Sequence, residues 1–326
     1  MPRIGMNPSR GRKTGYSPPR VTLAMLTYIP EEAGYFEHRF DVLKLSIASL
    51  LAHTPQPFDL LIFDNASCPP VVDYLRGLRG EGLIQYLILS DRNIGKMGAL
   101  KIIANAAPGE ILAYTDDDVF FLPGWLETHL NIFDTFPNVG LVTGYYIRAH
   151  TGYALESTLK FAKQPDVKMQ RGQMLEQKWE QHFIDNMGRT WEKYREETHG
   201  LEDIALTYRG IEVFASAGHH QFVAARKILL KAFPDDWSHE LMGQMRELET
   251  ALDSMGHLRL ATRQPVTRLL GNELSSEMVE EARSYGLSAR GVQHKPSSAG
   301  SRLLHNSLVR RAARYIYNQM YKIINT

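Results

Sequence analysis

The sequence has a single cysteine, Cys68, among 326 residues, so no disulfide can close within the chain. A reducing, cytoplasmic setting fits that usage. No apolar run reaches the roughly 18 residues that a membrane-spanning helix needs, and the N-terminus lacks the apolar core of a secretory signal. Acidic residues are missing from both ends. Residues 1–20 hold Arg3, Arg10, Arg12, Lys13 and Arg20, and residues 295–326 hold Lys295, Arg302, Arg310, Arg311, Arg314 and Lys322, with no acid in either stretch. Against a formal net charge of +1, these eleven bases leave −10 on the body between them. That charge excludes the body as a nucleic-acid binder, whereas the tails can touch an anionic surface. Glycine is also scarce where a phosphate loop would need it. The stretch after the first apolar run, Tyr28-Ile29-Pro30-Glu31-Glu32-Ala33-Gly34, is acidic and poor in glycine, which argues against a nucleotidyltransferase.

What the chain does have is material for a core. Hydrophobic residues make up 44% and charged residues 22%, ordinary values for a globular protein, and the length suits one large α/β domain or a domain with a sizeable insertion. Residues 1–20, rich in Pro, Gly, Ser and Arg, read as a disordered arm. From Val21 the texture becomes strand–helix–strand. Apolar runs at Val21–Thr27, Phe58–Phe63, Leu83–Leu89 and Glu110–Thr115 alternate with helical patterns at Arg39–His53, after Pro69-Pro70, and at Lys96–Ala107. The runs are apolar throughout rather than alternating, as expected of strands buried on both faces of a parallel sheet with right-handed crossovers. Asn138–Gly144 reads as a further strand. Residues 151–210 are charged and aromatic, with Leu175, Trp179, Phe183 and Met187 at helical spacing, and read as helices of an insertion or lid. A βα texture returns at Gln221–Leu230 and Glu247–Met255.

Ligands of such sheets sit at the carboxyl ends of the strands. Polar residues gather at those ends here: Thr27, Asp64-Asn65, Ser90-Asp91 and Asp116-Asp117-Asp118. Three adjacent ionised carboxylates raise one another's pKa unless they share positive charge. A divalent cation, Mn²⁺ or Mg²⁺, resolves the conflict. Mg²⁺ is commonly held by one or two carboxylates plus substrate phosphates, and would stabilise charge on a diphosphate leaving group. The bland alternative for these acids is a solvated turn or a helix cap.

At this point the chain resembles a known family. "GEILAYTDDDVFFLPGWL" is similar to the metal-binding segment of family-two glycosyltransferases, which have the nucleotide-diphospho-sugar transferase fold of type A. "LLIFDNAS" and "DRNIGKMGALKIIANAAPG" resemble that family's second strand and its N-x-G segment with the following helix. The resemblance spans residues 21–148 in order and spacing. It implies an α/β fold, a mostly parallel central sheet flanked by helices, with a helical insertion. It implies a nucleotide-sugar half over 21–148 and an acceptor-side half over 149–285, followed by a linker over 286–301 and a basic helix over 302–326.

The resemblance also implies roles. Thr27 would sit beside the nucleobase, and Asp64 would accept a hydrogen bond from a uracil-type ring. Asn93, Gly95 and Lys96 would line the nucleotide side of the cleft. Asp116 or Asp117 would contact the ribose, and Asp118 would bind the metal, with Asp116 beside it. The implied function is metal-assisted, inverting transfer of a sugar from a nucleoside-diphosphate sugar, UDP-linked by preference, to a glycan or lipid-linked acceptor, as in polysaccharide biosynthesis.

Two departures stand out. The family's Glu-Asp pair before a helix ending in glycine corresponds to Gln244-Met245 here, leaving Glu247 as the favoured base, with Glu249 and Asp203 as alternatives. In "RLLGNE" no histidine precedes Gly271-Asn272, and Arg268 would contact the diphosphate instead. The loss of the acid pair keeps open a donor-binding or scaffold protein without turnover. His219-His220, with Gly218 and Gln221, resemble the segment that faces donor sugar and acceptor. Trp125 and Trp179 read as packing residues. Residues 302–326 form an amphipathic basic pattern suited either to peripheral contact with the inner face of a membrane or to docking on the domain.

Overall fold

The computed structural model describes residues 6–7, 9–236 and 240–287. The expected basic helix over 302–326, and the linker from residue 288 onward, lie outside the described residues. Among the described residues, no helix is long and apolar enough to cross a membrane.

The first half alternates as the apolar runs require: β1 (Val21–Thr27), α1 (Arg39–Ala52), β2 (Asp59–Asn65), α2 (Pro69–Gly80), β3 (Tyr86–Ser90), α3 (Lys96–Ala106) and β4 (Ile111–Asp116). Then come β5 (Val119–Phe121), α4 (Trp125–Thr135), β6 (Val139–Thr143), α5 (Glu156–Phe161), β7 (Val167–Gly172), α6 (Gln177–Asn186), α7 (Trp191–Glu197), β8 (Asp203–Tyr208), β9 (Ile211–Ala215), β10 (Gln221–Ala225) and α8 (Arg226–Ala232). The described chain ends with α9 (Met245–Ser254), β11 (Leu258–Thr262), β12 (Thr267–Leu269) and α10 (Ser276–Ser284). Ten strands make one sheet in the order β3-β2-β1-β4-β10-β6-β11-β9-β8-β7, and β12 pairs with β5 in a separate ribbon.

Strands β3, β2, β1 and β4 are mutually parallel. Successive residues of β1 enter opposite cores: Leu23 and Met25 pack with Leu43, Ile47 and Leu50 of α1, whereas Ala24 and Leu26 pack with Leu100 and Ile103 of α3. Burial on both faces explains why the sequence shows no alternation. The other half of the sheet is mixed. β10 runs antiparallel to β4 and β6, β11 is parallel to β6, and β9, β8 and β7 continue antiparallel. The stretch read from sequence as helices of an insertion does supply α6 and α7, but it also supplies β7 and β8.

Register places the polar ends on one rim. Thr27 lies beside Asp64, Leu26 beside Asp116, and Asn65 beside Ser90. The chain then turns at Asp117-Asp118 into β5. That strand is held by β12, and the Leu270 N–H donates to the Asp118 carbonyl at 2.8 Å.

Candidate active site

The three aspartates lie at different depths. The Asp117 side chain is 6% exposed, Asp116 24% and Asp118 31%, so the outer two are the more open of the three. Asp117 Oδ2 accepts from Thr27 Oγ1 at 2.6 Å and its Oδ1 from the Arg39 guanidinium. Burial pushes the Asp117 carboxyl up to about 6, against the lowering pull of Arg39. Arg39 also donates to Asp118 Oδ2 at 2.8 Å and to the Gly271 carbonyl at 3.0 Å. Asp116 Oδ2 takes Lys96 Nζ at 2.5 Å and its Oδ1 takes the Tyr114 hydroxyl at 2.7 Å.

The charge problem posed by three neighbouring acids is therefore largely met by two side-chain cations. Lys96 was expected near the nucleotide. Arg39 was not anticipated. Its signal was faint but present: a cation in the first turn of α1 faces the positive end of the helix dipole, a position that favours acids. An arginine there needs another reason, and Asp117 with Asp118 supplies it.

The remaining capacity for a metal lies at Asp118. Among the described residues no protein group bonds its Oδ1, and no group of three or more His, Cys, Asp or Glu side chains is arranged to hold an ion. Such a donor set fits a cation gripped by one carboxylate and by substrate phosphates. Asp116, with both oxygens already hydrogen-bonded, sits between Lys96 and Tyr114.

At the end of β2 both Asp64 oxygens accept from the Ser67 N–H, at 3.3 and 3.2 Å, closing an Asx turn. Burial raises the Asp64 carboxyl above its ordinary range, with the Ser67 bonds opposing. Asn93 is tied to the neighbouring strand end: its Oδ1 accepts from Asn65 Nδ2 at 2.9 Å and from Gly95 N at 2.8 Å. Gly95 takes φ +76°, and a Cβ there would lie 3.0 Å from the Glu240 carbonyl. Lys96 N–H donates to the Leu241 carbonyl at 2.8 Å, so residues 240–241 cross the start of α3.

The candidates for the base separate clearly. Glu247 is exposed on the first turn of α9. Asp203 is fully buried, and its two oxygens take Arg148, the Tyr146 hydroxyl and the N–H groups of Met174 and Leu175. Burial alone would raise the Asp203 carboxyl, but Arg148 and the two backbone donors hold it below the usual range. Glu249 is also buried. It takes the Tyr153 hydroxyl, Arg259 Nη2 at 2.7 Å, and His219 Nδ1 at 3.1 Å. Met245, where the resemblance expects an acid, points into the core.

Among the described residues, Arg268 makes no hydrogen bond or ion pair with the rim acids. It stacks on Trp179, 4.3 Å from the ring centroid, and lies 3.5 Å from Glu281. Trp125 is buried with its indole N–H on Thr54 Oγ1 at 3.0 Å, a packing residue as expected.

Residues 35–191 match the family described as Glycosyl transferase family 2. Over these residues, just under half of the chain, the protein is similar to that family. The match spans Arg39, Asp64 and the three adjacent aspartates, whereas Thr27 precedes it and Asp203, Glu249 and Arg268 follow it. Among solved structures, mannosyltransferase PcManGT from Pyrobaculum calidifontis, in complex with GDP-Man and Mn²⁺, is similar at 15% identity with a TM-score of 0.45, over 77% of this chain and 56% of that one. GalNAc-T7 with UDP, GalNAc and Mn²⁺ is similar at 13% identity with a TM-score of 0.46, over 81% and 47%. TarS residues 1–349 from S. aureus, with UDP, is similar at 12% identity with a TM-score of 0.30, over 38% and 34%. The chain spans about half the length, or less, of these structures. A search of curated proteins finds no match.

Proposed function

We propose that the chain transfers a sugar from a nucleoside-diphosphate sugar, UDP-linked by preference, to a hydroxyl of a glycan or lipid-linked acceptor, with inversion at the anomeric carbon. The observation that carries this reading is the rim itself. Thr27, Asp64, Asn65 and Asp116 end adjacent strands in register, all but Thr27 within the stretch similar to glycosyl transferase family 2, and a part-exposed Asp118 follows.

Asp64 offers a carboxylate acceptor to a base N–H, and Asp116 an oxygen to the ribose. Lys96, held on Asp116, offers its remaining protons to phosphate. Asp118 would hold Mn²⁺ or Mg²⁺ together with the donor's phosphates, and the ion would supply charge stabilisation to the leaving diphosphate. Thr27 and Arg39 fix Asp117, and Arg39 also fixes one oxygen of Asp118, so the carboxylate meets its ligand already oriented.

A second reading, donor binding without turnover, draws on Gln244 and the buried Met245, which stand where the resemblance expects the acid pair. Release of nucleoside diphosphate separates the two. With UDP-glucose, UDP-galactose, UDP-N-acetylglucosamine and GDP-mannose, each with and without Mn²⁺, transfer predicts metal-stimulated release of UDP or GDP from at least one donor. Binding without release from any of them contradicts transfer.

A further inference from the structure

The Glu249 network reaches solvent through His219 and, beside it, through the part-buried Tyr153. The side chains of Glu249 and Arg259 are both 0% exposed, whereas His219 is 32% exposed. Glu249 therefore resembles Asp203 in being buried against an arginine, but its second oxygen is given to an imidazole at the surface rather than to backbone. Arg259 is itself anchored by the carbonyls of Tyr153, Ala154 and Ala217, at 2.9, 3.0 and 2.7 Å. This anchoring fixes the carboxylate. Burial opposes the charge on Glu249, but the His219 bond and Arg259 hold it below the usual carboxylate range. An ionised carboxylate only accepts, so His219 Nδ1 is the donor in this bond, which selects the tautomer of the neutral imidazole whose Nε2 has a lone pair.

The chain next to His219 meets the strand that carries the acids. The Asp116 N–H donates to the His220 carbonyl at 2.8 Å, and Gln221 is registered on Thr115 in the β10–β4 pairing. His150 stacks on the His219 ring, with centroids 5.8 Å apart and planes 15° apart, and burial lowers its pKa to about 4, so it stays neutral beside its neighbour. Among the described residues, the buried polar atoms without a partner include Nδ1 of the stacked His150, Nε2 of the adjoining His220, and Oε1 of Gln244 at the N-cap of the helix that carries Glu249. Such atoms are uncommon in a finished core and typical of a site that awaits a polar ligand.

We infer that His219, oriented by Glu249, is the base that takes the proton from the acceptor hydroxyl, in place of the carboxylate missing at Gln244-Met245. This rests on the transfer reading above. The acceptor oxygen bonds to the anomeric carbon as the bond from that carbon to the diphosphate oxygen breaks. The electron pair leaves with the diphosphate, and the hydroxyl proton passes to His219 Nε2. The imidazolium so formed is stabilised by Glu249 and later loses its proton to solvent. Glu249 is a positioning residue, and Arg259 keeps it ionised and in place.

The test uses the full chain, with release of UDP or GDP from the four donors named above, water or added sugar serving as acceptor. His219→Asn and His219→Gln are expected to lower kcat by about 100-fold or more, the usual worth of a positioned base. UDP affinity and melting temperature are expected to stay near wild type. Glu249→Gln is expected to lower kcat by roughly 10-fold or more with KM unchanged, since it costs orientation and not binding. His219 variants that fold, bind UDP and keep more than half of wild-type kcat overturn the inference while leaving the transfer reading intact. A Glu249→Gln protein whose activity falls only in proportion to lost folded protein overturns the positioning role. Wild-type protein that binds UDP but releases nucleotide from no donor overturns the transfer reading, and the base assignment with it.

Discussion

Two groups of buried acids in this protein meet arginine in opposite ways. At Asp203 every acceptor position is taken, by Arg148, Tyr146 and two backbone N–H groups, and the carboxylate is sealed at 0% exposure. At the rim, Arg39 and Thr27 between them occupy both oxygens of Asp117, but Arg39 takes only one oxygen of Asp118, which remains 31% exposed. The first arrangement ties Tyr146, the Met174-Leu175 turn and β8 together. The second leaves acceptor capacity facing the end of the sheet. An arginine partner therefore does not distinguish a structural acid from a functional one; the saturation of the carboxylate does.

The largest effect that sharpens this contrast is expected at Arg148. Arg148→Ala strands both Asp203 and Glu180 in the core and should cost about 3–5 kcal/mol of stability, measured by urea unfolding. The UDP response of the molecules that remain folded should persist. Next is Thr27→Val, which removes one donor from the buried Asp117. A loss of about 1–3 kcal/mol is expected, together with weaker nucleotide binding. Lys96→Met should leave the fold near wild type and weaken UDP by about 10-fold, the worth of one charge-assisted phosphate contact at about 1.4 kcal/mol.

The smallest effect is in pH dependence, and the two sites should differ in sign. Asp203 has a lowered folded pKa, so its contribution is present above about pH 4 and is lost as pH falls through the folded value. Asp117 is raised to about 6, so between about pH 4 and 6 the folded state binds the extra proton. Wild type should gain stability relative to Asp117→Asn as pH falls from 7 toward 4, and lose it relative to Asp203→Asn only below about 4. Chemical denaturation at pH 7, 5 and 3.5 reads both.

The same contrast marks how far the sequence could be read. β1, β2 and β4 were legible because strands buried on both faces give unbroken apolar runs; β3, an edge strand, is only part-buried but keeps an apolar run, and the polar ends of all four marked the rim. β7 was not legible. It is the edge of the sheet, and Lys168, Met169, Gln170 and Arg171 are exposed, so it has neither an apolar run nor a clear alternation. Charged, water-facing edges of this kind discourage further pairing and imitate helix surface in composition. In the site, the acids announced themselves by adjacency. Their partner Arg39 lies 78 residues before Asp117, and Glu249 lies 30 residues after His219, so neither pairing leaves a local pattern. At Asp64 the structure shows a local contact, both carboxylate oxygens accepting from the Ser67 N–H, which a single polar residue at a strand end does not reveal.

The most direct measurement is the thermal shift produced by UDP, with and without Mn²⁺, in wild type and in Asp118→Ala. The account predicts that UDP with Mn²⁺ raises the melting temperature of wild type more than UDP alone, and that Asp118→Ala keeps its unliganded melting temperature but loses the metal-dependent part of the shift. An Asp118→Ala protein with an unchanged response to UDP and Mn²⁺ would contradict it.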